Sequence, residues 1–237
     1  MILGNLCTRG CGFCSVPKGS PEKQEFRLDP QEPGHVAEMA ARMNLRYVVI
    51  TSVNRDDLAD GGSHHFAETV RQVRRELPQA QVEVLTPDFE GDLDAVRRVL
   101  DAGPHVFNHN METVSRLYKR VRPQANYEQS LNVLRAASEY RADVLTKSGL
   151  MVGLGETAAE VEELLRDLRE RGSTGVATIG QYLQPTRRNL PVMSYVTPEQ
   201  FDAYRDYGLS IGFKMVFAGP FVRSSYMADK VSEEAHA

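Results

Sequence analysis

Short runs of apolar and β-branched residues alternate along this chain with longer stretches in which apolar positions recur every three or four residues. The first pattern is that of strands buried on both faces, the second that of helices carrying one apolar stripe. Strands are predicted over "MILGNL" (1–6), "YVVITSV" (47–53), "VEVLT" (82–86), "HVFNHN" (105–110), "LTKSGLMVG" (145–153), "TGVATIGQY" (174–182) and "KMVFAG" (214–219). Helices are predicted between them, over roughly 30–44, 62–77, 91–102, 126–140, 157–171 and 197–211. Three of these carry start signals: Asp29 before Pro30, Thr157 before acidic residues, and Thr197 before Pro198 and Glu199. The rhythm predicts parallel strands joined by helical crossovers, so the fold class is α/β. Seven strands whose C-terminal ends are followed by polar segments predict a partial or complete (β/α) barrel of the TIM type, with its chemistry at that rim. "TSVNRDD", "NHNMET", "GLGET" and "QYLQPT" each follow a predicted strand there.

Composition narrows the picture. At 237 residues and 41% hydrophobic content the chain can fill one core, and no linker or repeat divides it. One domain over residues 1–229 is expected, with residues 230–237 a polar tail that frays. No run of 18 apolar residues occurs and "MILGNL" is too short for a leader's apolar region, so a cytoplasmic protein without a membrane association is expected. The 28 basic and 32 acidic residues, net charge −4, are interspersed without a basic stripe, which disfavours a nucleic-acid partner.

The candidate chemistry begins in "CTRGCGFCSV", which holds all three cysteines of the chain, Cys7, Cys11 and Cys14. Three cysteines cannot all pair, and their spacing suits metal ligation in a reducing compartment. Gly10 and Gly12 let a loop of this length fold back so that three sulfurs face one centre. A zinc ion would need a distant histidine as fourth ligand. A [4Fe-4S] cluster on three thiolates would instead keep one iron open to a small molecule. Three cysteines serving as small core hydrophobes fit poorly with Thr8, Arg9 and Gly10 between them. The tandem His64 and His65 lack metal spacing and read as surface residues.

CxxxCxxC with Phe13 just before the last cysteine resembles the signature of the radical S-adenosylmethionine (radical SAM) superfamily. "GLMVGLGE" resembles that superfamily's GxIxGxxE pattern, with Gly149, Met151 in the isoleucine position, Gly153 and Glu156. The ordered segments "MILGNLCTRGCGFC", "TSVNRDDLADGG", "NHNMETVSRLYKRVRP", "YEQSLNVLRAA", "TKSGLMVGLGET", "TIGQYLQPTRRNLPV" and "GPFVRSSY" resemble the lipoyl synthase family from Met1 to about Asp229. The resemblance implies a sulfurtransferase of lipoate biosynthesis that inserts sulfur at C6 and C8 of an octanoyl chain carried on a protein lysine. It implies that Cys7, Cys11 and Cys14 hold the cluster that cleaves S-adenosylmethionine to a 5'-deoxyadenosyl radical. Thr51, Ser52 and Asp57 are expected near the methionine end of that cofactor. Asn110 and Glu112 are expected at its ribose or amino group, and the glycines Gly149 and Gly153, with Glu156, along its adenosine. Lys147 and Gln181 could line the cavity, Lys147 equally being a salt-bridge partner.

In one respect the chain departs from the family. Lipoyl synthases hold a second [4Fe-4S] cluster, the sulfur donor, with an upstream CxxxxCxxxxxC motif and a serine near the C-terminus. The upstream motif is absent here, whereas "RSSY" offers Ser224, or as runner-up Ser225, as the serine. This reads as an N-terminally truncated form; the alternatives are a radical SAM enzyme that abstracts hydrogen without inserting sulfur, and a non-catalytic zinc-binding protein. The partners implied are an octanoylated lipoyl carrier domain or the glycine cleavage H protein, and ferredoxin or flavodoxin as electron donor, with the chain working as a monomer. Arg116, Lys119, Arg120, Arg122, Arg187 and Arg188 are the basic groups to which an acidic carrier would dock.

Overall fold

A computed structural model describes residues 1–20 and 27–228, so the expected tail at 230–237 lies outside the described residues. In chain order the elements are α1 (Glu32–Arg42), β1 (Tyr47–Thr51), α2 (Ser63–Glu76), β2 (Gln81–Leu85), α3 (Leu93–Asp101), β3 (Val106–Asn108), α4 (Tyr118–Val121), α5 (Tyr127–Tyr140), β4 (Leu145–Val152), α6 (Ala158–Glu170), β5 (Val176–Gln181), α7 (Pro198–Ser210) and β6 (Met215–Gly219). The strands form one sheet in the order β1 to β6, and every neighbouring pair is parallel. A parallel sheet in sequence order with helical crossovers is a TIM-type arrangement, here partial, because β6 does not pair with β1 among the described residues.

Two expectations about elements are corrected. Residues 1–6 are not a strand: Ile2 makes a single parallel bridge to Ser52, and Leu3 and Gly4 then turn into the left-handed region at φ 69° and 88°. An extended run cannot continue through two such residues, so among the described residues the sheet has six strands, not seven. Asp29 does not cap α1 either; its carboxylate accepts from the Gln31 amide at 2.8 Å, making a turn before a helix whose cap residue is Gln31. The other two start signals stand. Thr157 and Glu160 form a reciprocal capping box on α6, and Thr197 accepts from Gln200 at the start of α7.

Apolar side chains pack in two main clusters outside the sheet. One gathers Ile50, Phe66, Val70, Val84 and Val99 under α1 to α3, the other Leu134, Leu164, Ile179 and Phe201 under α5 to α7. A buried polar network crosses between the strands. Lys147 of β4 places Nζ 3.0 and 3.1 Å from the Glu83 carboxylate of β2, which also accepts from Tyr47 at 2.8 Å and Asn108 at 3.0 Å. Lys147 is thus a salt-bridge partner inside the sheet. The loops leaving the C-terminal strand ends are thereby set on a rigid base.

Candidate active site

The cysteine loop is fastened from three directions. Cys7 pairs with Lys18 across a single bridge, and Thr8 binds Asn54 in the loop after β1 through both its amide and its hydroxyl at 3.1 Å. Gly12 donates to Val121 of α4 at 2.8 Å and accepts from Leu190 at 2.9 Å. A side chain on Gly12 would meet Leu190 at 2.8 Å, so only glycine lets these segments close on it. Arg9, 5% exposed, grips two loops at once. Its guanidinium donates to Asp56 at 2.8 and 2.9 Å and to Asp88 at 2.6 and 2.9 Å. Against burial that would raise it, hydrogen bonds from Arg9 hold the Asp88 carboxyl down at about 2.

The three cysteines border one cavity of about 170 Å³, closed on the far side by Ser52, Thr86, His109, Asn110, Glu112 and Arg122. Backbone amides point at two of the sulfurs: Arg9 and Asn54 donate to Cys7 Sγ at 3.4 Å, and Val16 to Cys14 Sγ at 3.5 Å. Amides so aimed stabilise thiolates and tune a cluster bound to them. Burial, partly offset by Arg122, pushes the Cys11 thiol up to about 11, and burial raises Cys14 as well. Thiols in such surroundings lose their protons to a metal centre that brings its own positive charge. No three His, Cys, Asp or Glu side chains among the described residues converge as a single metal ion requires. A four-iron cluster is larger and takes ligands standing farther apart.

Four polar atoms in this wall are buried without a partner: Ser52 Oγ, Thr86 Oγ1, Asn110 Oδ1 and Arg122 Nε. Buried polar atoms are rarely left so, and four around one cavity mark it as built for a polar ligand. His109 is buried with Nδ1 2.9 Å from the Thr86 carbonyl and Nε2 3.0 Å from Ser130 Oγ. Burial, then the charge of Arg122, lower it to about 4, so its imidazole is neutral at physiological pH. Burial raises Glu112 above the ordinary carboxylate range, opposed by Arg122. Glu112 also sits at φ 67° while bridging to Leu150 of β4, a strained backbone held by the sheet.

A second cavity of about 220 Å³ shares Leu85, Asn110 and Glu112 with the first and runs on past Gly149, Leu150, Met151 and Thr178 to Val222, Arg223 and Ser224. Of the residues expected at the site, Ser52, Asn110, Glu112 and Gly149 border these two cavities. Gly149 does so by clearance, since a Cβ there would stand 2.8 Å from Asn110 Oδ1 and 2.7 Å from Thr178 Oγ1. Ser224 is half-buried at the far end, whereas Ser225 is exposed.

Other expected residues are placed elsewhere. Thr51 ends β1 and accepts from the Ile2 amide, and Asp57 is held by Arg55 at 2.7 and 2.8 Å, which lowers its pKa. Neither borders the two cavities. Gly153 turns at φ 98°, and Glu156 accepts from the Gly153 and Leu154 amides, so this pair closes its own turn after β4. Gln181 braces the following loop through Ser194 and Val196. His65 is not a surface residue: its ring packs in with Nε2 2.7 Å from Glu32, while His64 is exposed. Arg122 is not at the mouth but 8% exposed, its Nη1 on the Asn110 carbonyl at 2.8 Å, because the chain leaves the helical conformation there, at φ −134° and ψ 70°. The pattern reading missed Arg9, Thr86 and His109 as site residues, and Arg122 as a lining group. Their one visible signal is position, beside the cysteines or directly after a predicted strand.

The sequence profile of the Radical SAM superfamily matches residues 1–168. The chain is 56% identical over 235 residues to the lipoyl synthase of Rubrobacter xylanophilus, covering 99% of this chain and 72% of that one. It is 57% identical over 234 residues to that of Halorhodospira halophila (98% and 69%), and 56% over 236 residues to that of Thermus thermophilus (99% and 72%). Among solved structures it is similar in fold to methylornithine synthase, with TM-score 0.66 at 16% identity over 91% of this chain and 62% of the other. Streptococcus suis SuiB bound to S-adenosylmethionine gives TM-score 0.69 at 11% identity over 92% and 48%.

Proposed function

The chain belongs to the lipoyl synthase family of radical SAM enzymes, and from that premise we propose how its own residues serve sulfur insertion into a protein-bound octanoyl chain. The observation that carries the assignment of roles is the first cavity, bordered by three thiols on one side and by four unpartnered polar atoms on the other. Cys7, Cys11 and Cys14 fit as ligands of a [4Fe-4S] cluster. When bound, that cluster supplies one-electron chemistry that turns S-adenosylmethionine into a hydrogen-abstracting radical.

Around it the chain's residues bind and orient. Arg122 and Ser52 offer the charge and hydroxyl that suit the amino acid end of S-adenosylmethionine. Asn110 and Thr86 offer free acceptors, and Glu112 lies within 3.1 Å of the Asn110 amide to hold its orientation. Neutral His109 keeps this wall in place through Thr86 and Ser130. Thr51, Asp57, Gly153 and Glu156 act one step back, fixing the turns that carry these groups. The second cavity, apolar along Leu85, Leu150, Met151 and Val222, suits the octanoyl chain. Ser224 at its end is the group we assign to the second [4Fe-4S] cluster of the family. We further assign the octanoylated lipoyl carrier domain or glycine cleavage H protein as substrate, ferredoxin or flavodoxin as electron donor, and a monomeric, cytoplasmic protein.

The test is anaerobic reconstitution followed by metal analysis and product assay. A brown protein with about four irons on this trio is expected. Cys11→Ala is expected to lose the iron and all 5'-deoxyadenosine formation; undiminished formation in that variant, or a colourless zinc-loaded wild type, sinks the reading.

A further inference from the structure

Cys14 is a wall of two spaces at once. On its inner side it borders the cavity shared with Asn110 and Arg122; on its outer side it borders a wide surface recess of about 450 Å³ lined by Ser15, Thr186, Arg187, Arg188 and Asn189. The recess is held to the cysteine loop, because Asn189 Nδ2 donates to the Cys14 carbonyl at 2.9 Å and Leu190 donates to Gly12. On the other flank Gly12 donates to Val121, which brings Lys119 and Arg120 alongside. Lys18 lies along the same loop, its Nζ within 3.7 Å of where a Cβ on Gly10 would stand.

Charge is concentrated here against the balance of the whole. Lys18, Lys119, Arg120, Arg187 and Arg188 are all exposed, and none of them is in an ion pair among the described residues, in a chain of net charge −4. By contrast Arg116, nearby in sequence, is neutralised by Glu160. Exposed cations without ion pairs among the described residues, grouped about one loop, raise the local concentration and the association rate of an anionic protein.

We propose that this basic surface flanking the cysteine loop is the docking surface for an acidic, low-potential one-electron carrier protein, which passes its electron inward through Cys14. The inference rests on the cluster assigned above to the cysteine trio. In the step the docked protein is oxidised by one electron and the cluster reduced by one; no bond forms or breaks. The octanoylated carrier is the less suitable occupant. Its arm must reach the second cavity, lined by Gly149, Thr178 and Ser224, which shares no residue with the recess, whereas the recess meets the site only through Cys14.

The test is stopped-flow reduction of the reconstituted protein by a reduced acidic ferredoxin and, separately, by reduced methyl viologen, a small cation that needs no docking. Arg187→Glu/Arg188→Glu and Lys119→Glu/Arg120→Glu are each expected to slow reduction by ferredoxin about tenfold or more at low salt. That difference is expected to shrink as salt is raised, because screening removes steering. Viologen reduction, iron content and octanoyl-carrier turnover driven by viologen are expected to stay as in the wild type. Arg75→Glu on α2, exposed and away from the recess, serves as control. Ferredoxin rates that do not move overturn the proposal. So does loss of viologen-driven carrier turnover with ferredoxin rates intact, which would give the surface to the carrier. A wild type that takes up no iron cluster overturns the cofactor assignment and this inference with it, and is told apart by its lack of colour.

Discussion

Arg9 is one guanidinium shared between two carboxylates, Asp56 at the rim and Asp88 fully buried. Neutralising Asp88 leaves Arg9 its pairing with Asp56 but weakens two buried charge-assisted hydrogen bonds, which costs about 1–3 kcal/mol. Asp88→Asn is therefore expected to lower the unfolding free energy of the metal-free protein by about that much at pH 7, read by urea denaturation. The sign of the pH dependence follows from the depressed carboxyl. Its stabilisation is present above the unfolded value of about 4 and is lost as pH falls through the folded value of about 2, so wild type and variant converge between those limits. At this scale the sequence was half legible. A cysteine trio at fixed spacing stands out, and Asn110 and Glu112, expected after a strand, border the same cavity as the trio. Arg9 does not, because what makes it matter is two aspartates 47 and 79 residues away.

Elements were read better than residues, since burial periodicity is local. The six strands and six longer helices lie within a few positions of the pattern, and the strand lost was the one whose apolar run contains a left-handed pair, Leu3 and Gly4. What periodicity could not give is how closely elements approach. Gly180 on β5 is the case in point: a Cβ there would stand 2.2 Å from the Val222 carbonyl, so the segment bearing Ser224 lies directly on the strand. Backbone cannot yield as a flexible side chain can. Gly180→Ala is expected to push residues 220–226 outward and cost about 1–3 kcal/mol, seen as a lower melting temperature. It is expected to impair hydrogen abstraction from the octanoyl chain more than cleavage of S-adenosylmethionine, checked by deuterium transfer from labelled octanoyl carrier and total 5'-deoxyadenosine side by side.

Across the whole molecule, Lys147 and Glu83 join the half built on β1 to β3 to the half built on β4 to β6. Both side chains are fully buried, so Lys147→Met, close in volume and uncharged, is expected to destabilise by about 3–5 kcal/mol through the stranded glutamate. Glu83→Gln added to it is expected to recover part of that loss in the same denaturation experiment. The α/β class and the partial barrel follow from the alternation of patterns, because a parallel sheet needs its crossovers. Pattern allows Lys147 a salt bridge, as found, but cannot name its partner, because Glu83 lies 64 residues away on another strand. No helix among the described residues is long and apolar enough to cross a membrane.

The fastening of the cysteine loop carries a consequence in time. Asn189 grips the Cys14 carbonyl across 175 residues of chain, while each strand pairs only with its neighbour in sequence. During synthesis the sheet can therefore grow strand by strand as the chain emerges, with the three thiols made first and latched last. Until residues 186–190 have been made, the trio stands unlatched on its outer side, and that interval is when an assembly factor has the freest access to it.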